Sequence, residues 1–495
     1  MAAPLRVERR SAAVQGRLAA TARRLLIAAA ATSSLAACSL APVYHPPSVE
    51  PATASWKEGD SLWHSAAPAD AADRGAWWQV FGDARLNMLE ASLDKANPTL
   101  AVALARYDRA AAFASQRAAS LSPQVDVAGS PTRNRQSDNR PLRGSNQPDV
   151  YDANTLQASI DYELDFWGRV RNEVAAGRAE AAAANADLAT ARLSLQAKLA
   201  SLCFELDDDD MQTHILQDAI EAYRQAETLT ENRFEGGVDS KLAVARAKTQ
   251  LSDALAQAAE VTAQRALAEH AIASLVGRTA TTFGLPPDRG EIGIPAIPVG
   301  VPSALLQRRP DIAAAERRVF EANADIGVAR AAFYPDLTLS GLLGWQDTGH
   351  GNLLSAGNQV WAFGPLAALN LLDGGKRRAQ EHEAQAAFDE ASGRYRATVL
   401  TAFQQVEDNL ALLEQLRVEA RNEDDAEGSA KDAVDIAMNR YHDGATNYLD
   451  VVTAQTSYLT AKRTAQRVHT RRLQASVRLI EALGGGWTQA HPDGA

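Results

Sequence analysis

The sequence predicts a mainly α-helical protein with a small β part, built from two copies of one unit. Three observations predict it: an internal repeat, short segments in which apolar and polar residues alternate, and two long stretches without proline. Each copy is expected to hold a pair of strands followed by a long helical hairpin. A repeat of this length is an architecture in itself, so it governs the interpretation of every other feature.

The repeat consists of identical residues that return 207 positions further along the chain. The identical pairs are Leu164 and Leu371, Gly168 and Gly375, Arg171 and Arg378, Arg233 and Arg440, Gly237 and Gly444, Leu242 and Leu449, Ala247 and Ala454, and Gly277 and Gly484. Upstream the offset becomes 212, because Pro98 matches Pro310 and Pro123 matches Pro335. The difference in length therefore falls between Pro123 and Leu164, where we expect a loop.

The repeat divides the 495-residue chain into a leader, two repeats and their connections. The predicted segments are a leader 1–37, an N-terminal extended linker 38–76, a first repeat 77–280, a Pro/Gly-rich linker 281–302, a second repeat 303–487 and a C-terminal tail 488–495. The predicted elements are short helices 98–120 and 310–332, strands 124–130, 156–166, 335–345 and 359–372, and helical hairpins 168–277 and 375–484.

Residues 1–37 have the order of an export signal: an arginine-rich start, a short apolar run and small residues before Cys38. Small residues before a cysteine resemble the bacterial lipobox, in which the cysteine is lipidated and becomes the first residue. An alanine-rich leader with a chance cysteine is the alternative. Ser39 follows the cysteine, and by the same resemblance it points to the outer membrane. We therefore expect Cys38 to be the lipid attachment site.

Charge and hydropathy exclude several classes of protein. The apolar run of the leader is too short to span a bilayer, and no other stretch approaches the ~20 apolar residues that a helix needs. Without residues 1–37 the chain holds 44 basic and 60 acidic residues, a net charge of −16. This balance argues against nucleic-acid binding and suits an acidic surface or lumen. If the chain spans a membrane, it must do so with β-strands.

Residues 156–166 give the clearest strand signal, because apolar and polar residues alternate strictly over eleven positions. That length suits a tilted transmembrane strand, with the carboxylates Asp161, Glu163 and Asp165 facing water. An ordinary half-buried strand of a soluble sheet is the alternative. Pro365 is awkward inside the last predicted strand and predicts an edge or a bulge there.

Four strands cannot close a barrel, because single-chain bacterial barrels begin at eight strands. Open sheet edges cannot face lipid, because their backbone groups would lack partners. If the strands span a membrane, several chains must therefore share one barrel.

The two proline-free stretches predict unusually long helices. At 1.5 Å per residue, a helix of ~65 residues reaches ~100 Å, which indicates a coiled-coil type of assembly. Each long helix is expected to end at a glycine turn, formed by Gly236 and Gly237 in the first copy and by Gly444 in the second. Glycine suits these turns because it tolerates positive φ.

Four motifs carry a family resemblance that covers about residues 42–487. They are WWQVFGD at 77–83 followed by Leu86 and Leu89, AFYPDL at 332–337, LLQRRPDI at 305–312, and the segment from Arg440-Tyr441 through Gly444, Asn447-Tyr448-Leu449 and Ala454-Gln455. Together they resemble the TolC-like outer membrane efflux proteins, in the lipoprotein branch of OprM/NodT type. The motif at 305–312 is the most specific of the four.

The resemblance implies a homotrimer anchored in and spanning the outer membrane. Three chains would pool their strands into a 12-stranded β-barrel in contact with outer-membrane lipids, and their helices would form an α-helical barrel across the periplasm. The tips would dock a periplasmic adaptor (membrane fusion) protein and, through it, an inner-membrane pump of the RND type. The function implied is a passive exit duct for small molecules such as drugs. The alternatives are type I protein secretion through the same channel, or a periplasmic coiled-coil structural lipoprotein without a pore.

The resemblance also implies site residues at the tips. Leu449 matches a leucine that faces the pore axis in the family, whereas Thr453 stands where the family has an aspartate. Asp450 lies three residues away on nearly the same helical face, so we expect it in a gating ring with Tyr448 and Leu449 as steric elements. Together with Thr453, these residues are the predicted periplasmic gate. A solvated charge at a hairpin tip is the alternative. Adaptor docking is expected at Gly236, Gly237 and Gly444, with plain turn geometry as the alternative.

The acidic run Asp207–Asp210 lies within the first long helix. A solvated face is one interpretation, and an acidic band facing a lumen is the other. Signals of catalysis are absent: the nine histidines are scattered, and no metal-binding spacing of cysteine and histidine occurs. We therefore expect no enzymatic activity, no metal and no cofactor. Tip asymmetry, such as Asp450 against Ala243, is where gating is expected.

Overall fold

The computed structural model describes residues 39–49, 56–57, 75–137, 139, 148–288, 290, 292–297, 309–348 and 351–485. The leader 1–37, Cys38 and the tail 488–495 lie outside the described residues. The chain divides into two compact units. The first unit contains all four strands, and the second contains both hairpin tips.

The described elements follow the predicted order and confirm the mainly α fold class with a small antiparallel sheet. The helices are α1 (Ala84–Ala96), α2 (Pro98–Ala119), α3 (Arg169–Glu235), α4 (Lys241–Leu275), α5 (Pro310–Ala331), α6 (Lys376–His442) and α7 (Tyr448–Ala482). The strands are β1 (Gln124–Arg135), β2 (Val150–Glu163), β3 (Asp336–Asp347) and β4 (Gln359–Ala368).

The two helical hairpins are equal in length and obey the repeat offset. Helices α3 and α6 each contain 67 residues, and helices α4 and α7 each contain 35. Helix α6 begins and ends 207 residues after α3, and α7 begins and ends 207 residues after α4, as the sequence repeat predicts. Within the described residues, no helix combines the length and the apolar character needed to cross a membrane.

Several strand ends differ from the predicted ones. Strand β2 is not 156–166 but begins six residues earlier and stops at Glu163. Asp165 is not a strand residue facing water, because its carboxylate accepts the backbone N–H groups of Val170 (3.1 Å) and Arg171 (3.0 Å) at the start of α3. Satisfying these unpaired N–H groups favours the helix over a longer strand. Strand β4 likewise stops at Ala368 rather than at 372.

The sheet has the order β1-β2-β3-β4, with every neighbouring pair antiparallel. Its register contains no slip, so directly opposed residues share a face. One face is mainly apolar and includes Val125, Val127, Leu156, Ala158, Ile160, Leu339, Leu343, Trp345, Trp361 and Phe363. The other is mainly polar and includes Gln124, Asp126, Ser130, Thr132, Gln157, Ser159, Asp161, Thr338, Ser340 and Gln346. Pro365 lies in the outer strand β4, as its missing N–H predicts.

Helix α1 was not predicted from the sequence, and it builds the largest described core. Asp83 caps it by accepting from the backbone N–H groups of Arg85 (2.7 Å) and Leu86 (3.1 Å). The motif at 77–83 becomes a short 3₁₀ segment whose aromatic side chains are buried beside α1 and α3. The contributing residues include Trp77, Trp78, Phe81, Leu86, Leu89, Leu93, Leu199, Cys203 and Phe204.

The acidic run Asp207–Asp210 is neither a solvated face nor an acidic band facing a lumen. Asp207 pairs with Arg85 of α1, and Asp208 accepts from the hydroxyl of Thr470 in α7 at 3.2 Å. Successive helical residues point in different directions, so each carboxylate reaches a different neighbour.

The last two residues of the run are the more deeply buried. Asp210 pairs with Arg265 of α4 at 2.5 Å and accepts the backbone N–H of Asp288 at 3.1 Å. Asp209 is only 6% exposed, and burial raises the pKa of its carboxyl to about 7. The run therefore joins α1, α4 and α7 to α3, and removing one partner would leave a buried charge.

Glu90 of α1 is fully buried, and neither carboxylate oxygen has a hydrogen-bond partner. Burial, with a smaller contribution from Asp94, raises the pKa of Glu90 from 4.5 to about 9. The carboxyl is therefore protonated in the folded protein at neutral pH, whereas it is ionised in the unfolded chain. Between these two values unfolding releases a proton, so the free energy of unfolding falls as the pH rises.

We predict that Glu90→Gln stabilises the protein at pH 8 and has little effect at pH 5, because only at the higher pH does wild-type unfolding gain from ionisation. The expected rise in melting temperature at pH 8 is at least about 2 °C. Thermal unfolding of the detergent-solubilised protein measures it, with Glu383→Gln at an exposed position of α6 as the control. Equal effects of Glu90→Gln at the two pH values would contradict the prediction.

Candidate functional site

Both hairpins reverse through the same type of glycine turn. Gly237 has φ 74° and Gly444 has φ 71°, the left-handed conformation that glycine adopts without strain. In each turn the residue after the glycine donates its N–H back into the preceding helix, from Val238 to the carbonyl of Arg233 and from Ala445 to that of Arg440, both at 2.8 Å. This bond pattern is that of a Schellman motif, which satisfies the last carbonyls of a helix.

Gly236 differs from the other two glycines that were predicted to form docking tips. Only Gly237 and Gly444 have positive φ, and nothing lies within 4 Å of a Cβ built on either of them. The backbone conformation alone therefore requires glycine at these two positions. Gly236 has no such requirement.

The two tips meet in one small core. Tyr441, near the end of α6, and Tyr448, at the start of α7, are 0% and 2% exposed. Their ring centroids lie 5.5 Å apart, and they pack against Ala243 and Ala247 of α4. The second hairpin thus buries its aromatic residues against the return helix of the first.

A polar cluster, which we call the tip clasp, joins the two hairpins beside this core. It consists of Arg233, Asp239 and Tyr441. The hydroxyl of Tyr441 donates to Asp239 Oδ2 at 2.6 Å, and Nε of Arg233 donates to the same oxygen at 2.9 Å. The guanidinium of Arg233 also lies 4.7 Å from the centre of the Tyr441 ring and donates to its backbone carbonyl at 3.3 Å. One carboxylate therefore holds residues of both hairpins.

The surroundings of the Tyr441 hydroxyl keep it protonated, so that it can donate its hydrogen bond in the clasp. Burial, followed by the hydrogen bond to Asp239, raises the pKa of Tyr441 above its ordinary value, so the phenol stays protonated. Hydrogen bonds to a charged partner are worth about 1.5–3 kcal/mol each.

A second polar chain lies beneath the clasp. The hydroxyl of Tyr448 donates to Gln250 at 3.4 Å, and Gln250 donates to Gln455 at 3.3 Å. The hydroxyl of Tyr223 in α3 donates to the backbone carbonyl of Gln455 at 3.4 Å. Burial raises the pKa of Tyr448, so its hydroxyl also remains a donor. This chain connects α3, α4 and α7 behind the tips.

The structure separates the four residues predicted for the gate. Leu449, Asp450 and Thr453 are exposed on the first turns of α7, whereas Tyr448 is buried in the tip core. A buried ring presents no surface to a pore, so the expectation that Tyr448 is a steric gate element is corrected to a supporting role. Asp450 accepts from the hydroxyl of Thr446 in the helix N-terminal turn, where a negative charge is favoured. The hydroxyl of Thr453 donates to the carbonyl of Leu449 at 2.8 Å.

Exposed apolar side chains surround the tips. Phe234, Val238, Leu242 and Leu449 are 41%, 67%, 58% and 43% exposed. Leu242 and Leu449 occupy equivalent positions in the repeat and line one groove of about 490 Å³ between α4 and α7. The same groove is lined by Arg246, Arg463 and Arg467.

Sequence reasoning missed the tip clasp. Tyr441 belongs to the motif near residue 440, and Arg233 to a repeated pair, but the partner Asp239 has no repeated counterpart. The available signal was that Asp239 is a carboxylate in the turn of the first hairpin. Cys38, the predicted lipid site, lies outside the described residues, which begin at Ser39. Among the described residues, no group of histidine, cysteine and carboxylate side chains is arranged to hold a metal ion.

We predict that Gly237→Ala and Gly444→Ala loosen the tips, whereas Gly236→Ala does not. A Cβ in the left-handed conformation costs about 1–2 kcal/mol, which corresponds to roughly tenfold faster hydrogen exchange at the turn. Hydrogen–deuterium exchange of the tip peptides measures this effect. The neighbouring Gly236→Ala is the matched control, and a larger effect there would contradict the assignment.

Comparisons with known proteins place the chain among membrane channels. A family model described as outer membrane efflux protein matches residues 91–278 and 301–485. The outer membrane protein OprJ of Pseudomonas aeruginosa is 31% identical over 462 residues, which cover 92% of this chain and 94% of that protein.

Two solved structures have the same fold over most of both chains. The outer membrane protein VceC of Vibrio cholerae is 32% identical with a TM-score of 0.78, over 84% of this chain and 99% of that one. The CmeC outer membrane channel of Campylobacter jejuni is 25% identical with a TM-score of 0.82, over 92% and 96%. By its family match and its relatives, the chain belongs to the outer membrane efflux protein family.

Proposed function

We propose that the protein is the outer-membrane exit duct of a tripartite efflux system. It acts as a homotrimer that passively conducts small molecules such as drugs once its tips dock a periplasmic adaptor. The adaptor links it to an inner-membrane pump of the RND type. Cys38 carries the lipid that anchors each chain in the outer membrane.

The observation that carries this proposal is the two-faced sheet with open edges. Its apolar face leaves Val127, Trp361 and Phe363 74%, 75% and 69% exposed in the single chain. Large apolar patches of this kind mark a surface that meets another apolar phase. The opposite face is mainly polar and suits water. Lipid outside and an aqueous lumen inside account for both faces.

The sheet edges support a shared barrel. Among the described residues, β1 and β4 are the outer strands of a four-stranded sheet. Unpaired backbone groups cannot face lipid without a cost of several kcal/mol each. Three copies joined edge to edge give twelve strands and no free edge, within the range of bacterial barrels.

The tip clasp supports a channel that is closed at rest. Asp239 holds Tyr441 near the end of α6 against the first hairpin, which limits outward movement of the second hairpin. Leu449, Asp450 and Thr453 are exposed beside it and are our candidates for the constriction. Three symmetry-related copies of Asp450 would repel one another, so closed-state contacts such as the clasp must offset that repulsion.

The tips also carry the features of a docking surface. Gly237 and Gly444 fix tight turns, and exposed Val238 and Leu242 give an apolar contact area beside them. We assign adaptor docking to this surface, with Gly236 as a tolerant neighbour. The arginine-lined groove between α4 and α7 adds positively charged groups beside this docking surface.

Small molecules are the cargo that the relatives favour. Proteins 29% identical over 473 residues are named for the efflux of toluene and of antibiotics, both in Pseudomonas putida. No sequence feature singles out a protein substrate, so secretion of proteins remains the less supported function of this channel.

Conductance of the purified protein in planar bilayers tests the function. We expect discrete single-channel currents that are small and infrequent in the resting protein. Expression in cells that lack their own efflux duct, together with the matching adaptor and pump, should restore drug export. Absence of current even from clasp variants, together with no restored export, would overturn the proposal.

We predict that Asp239→Asn and Tyr441→Phe raise the open probability. Tyr441→Phe removes the hydrogen bond to Asp239 but keeps the ring, and about 1.4 kcal/mol or more of lost closure corresponds to a tenfold or larger rise. Asp239→Asn also leaves Arg233 without its charged partner and should have the larger effect.

The matched control is Tyr458→Phe, which removes a phenol hydroxyl elsewhere on α7. It should leave the open probability at the wild-type value. A rise in Tyr458→Phe as large as that in Tyr441→Phe would remove the clasp from the closing mechanism.

A further inference from the structure

We propose that the groove between α4 and α7 is a binding site for a small organic anion with an apolar body. The anionic group binds at Arg463 and Arg467, and the body lies along the groove against Leu459 and Val452, towards the tips. The site goes beyond the proposed function, because binding requires only the folded protein and no conducted current.

The groove is long and narrow, because α4 and α7 run side by side from the two tips. Both helices begin at a tip, and the side chain of Gln250 in α4 donates to that of Gln455 in α7 at 3.3 Å. The lining on α7 extends from Leu449 to Arg467, about 27 Å at 1.5 Å per residue. The volume of about 490 Å³ suits a small molecule, whereas a docked helix of that length would need roughly four times as much.

The part of the groove nearer the tips is apolar. Leu242 of α4 and Leu449 of α7 are 58% and 43% exposed, and Val452 and Leu459 continue the apolar lining along α7. Between Val452 and Leu459 the helix rises about 10 Å, enough for a body of two fused aromatic rings. Covering these side chains removes apolar surface from water and so favours binding.

The threonines of α7 that line the groove do not provide donors for a ligand. The hydroxyls of Thr456, Thr460 and Thr464 donate to the carbonyls four residues earlier in the helix, at 2.8, 2.8 and 2.9 Å. A hydroxyl has one hydrogen, so these side chains present only acceptors to the groove. Donors for a charged group therefore come chiefly from the arginines.

Three arginines line the groove, against the single carboxylate of Asp253. Within the part of the chain that the structure describes, none of Arg246, Arg463 and Arg467 forms an ion pair. The groove thus holds an excess of positive charge, and an anion is the partner that complements it.

Arg463 is held in position by neutral groups. Its Nε donates to Gln212 of α3 at 2.7 Å, and its Nη1 donates to Gln257 of α4. These amides orient the guanidinium without cancelling its charge, and Nη2 donates to none of the described residues. Arg467 lies one turn further along the same face of α7, so both guanidinium groups can contact one anion.

The surroundings of Arg463 are unfavourable for its positive charge. Burial lowers the pKa of Arg463, and the positive charge of Arg467 lowers it further. The carboxylates of Glu260 and Asp208 act in the opposite direction but do not compensate. A bound anion would offset both the lost hydration and the repulsion between the two arginines.

Calorimetric titration with a naphthalene sulfonate tests the site, using the full-length protein in a neutral detergent and a titration of the detergent alone as the blank. The uncharged naphthalene sulfonamide has the same rings and is the matched probe without charge. We expect one sulfonate to bind per chain, and the sulfonamide to bind at least about tenfold more weakly.

Two substitutions change the charge and the space of the site separately. Arg467→Gln removes one charge and Thr460→Trp fills the groove, and each should weaken sulfonate binding at least about tenfold. The controls Arg471→Gln and Thr453→Trp change exposed positions of α7 outside the groove lining and should bind as the wild type does. Arg471 already pairs with Glu419 at 2.9 Å. Melting temperatures identify variants that fold, and either of the two test substitutions suffices.

Each outcome decides the proposal. Equal binding of the sulfonate and the sulfonamide overturns the anionic class of ligand, and sulfonate binding that survives both test substitutions overturns the site. Binding of neither probe to a wild-type protein that conducts current overturns the proposal and leaves the proposed function in place. The expected pattern of binding in a protein that conducts no current supports the site and contradicts the proposed function.

Discussion

The unpaired edges of one small sheet are the constraint on which the architecture depends. Strands β1 and β4 each present a row of backbone N–H and C=O groups outward, and one face of the sheet is apolar and exposed. Water suits the edges but not the face, and lipid suits the face but not the edges. In the proposed trimer, pairing with further copies satisfies both the sheet edges and the apolar face.

The two repeats agree in their helices and turns but differ in one contact between the hairpin tips. The helices of the two copies agree in length, and both turns use a left-handed glycine. The tip clasp breaks this equivalence, because Asp239 corresponds to Thr446 and Tyr441 corresponds to Phe234. The second tip lacks the carboxylate and the first lacks the phenol, so the clasp forms once per chain. In the proposed channel, this contact between otherwise similar hairpins is the one that opening would release.

The long helices could be predicted from the sequence, whereas features that depend on the partner of a particular side chain could not. The repeat and the absence of proline located α3, α4, α6 and α7 closely, since these are periodic local signals. The alternation that continued to 166 did not reveal that Asp165 caps α3, because the competing partner is a helix N-terminus. Asp207–Asp210 resembled a solvated run, because its arginine and threonine partners come from distant helices. Tyr448 was grouped with exposed neighbours, whereas tertiary packing buries it.

The number of chains per particle is the most direct measurable consequence of the open sheet edges. Native mass spectrometry of the protein extracted from outer membranes gives that number without disturbing the strands. We expect a particle of three chains, each with a mature mass that includes the lipid on Cys38. A stable membrane-embedded monomer, or a particle whose chains do not close into a ring of three, would contradict it.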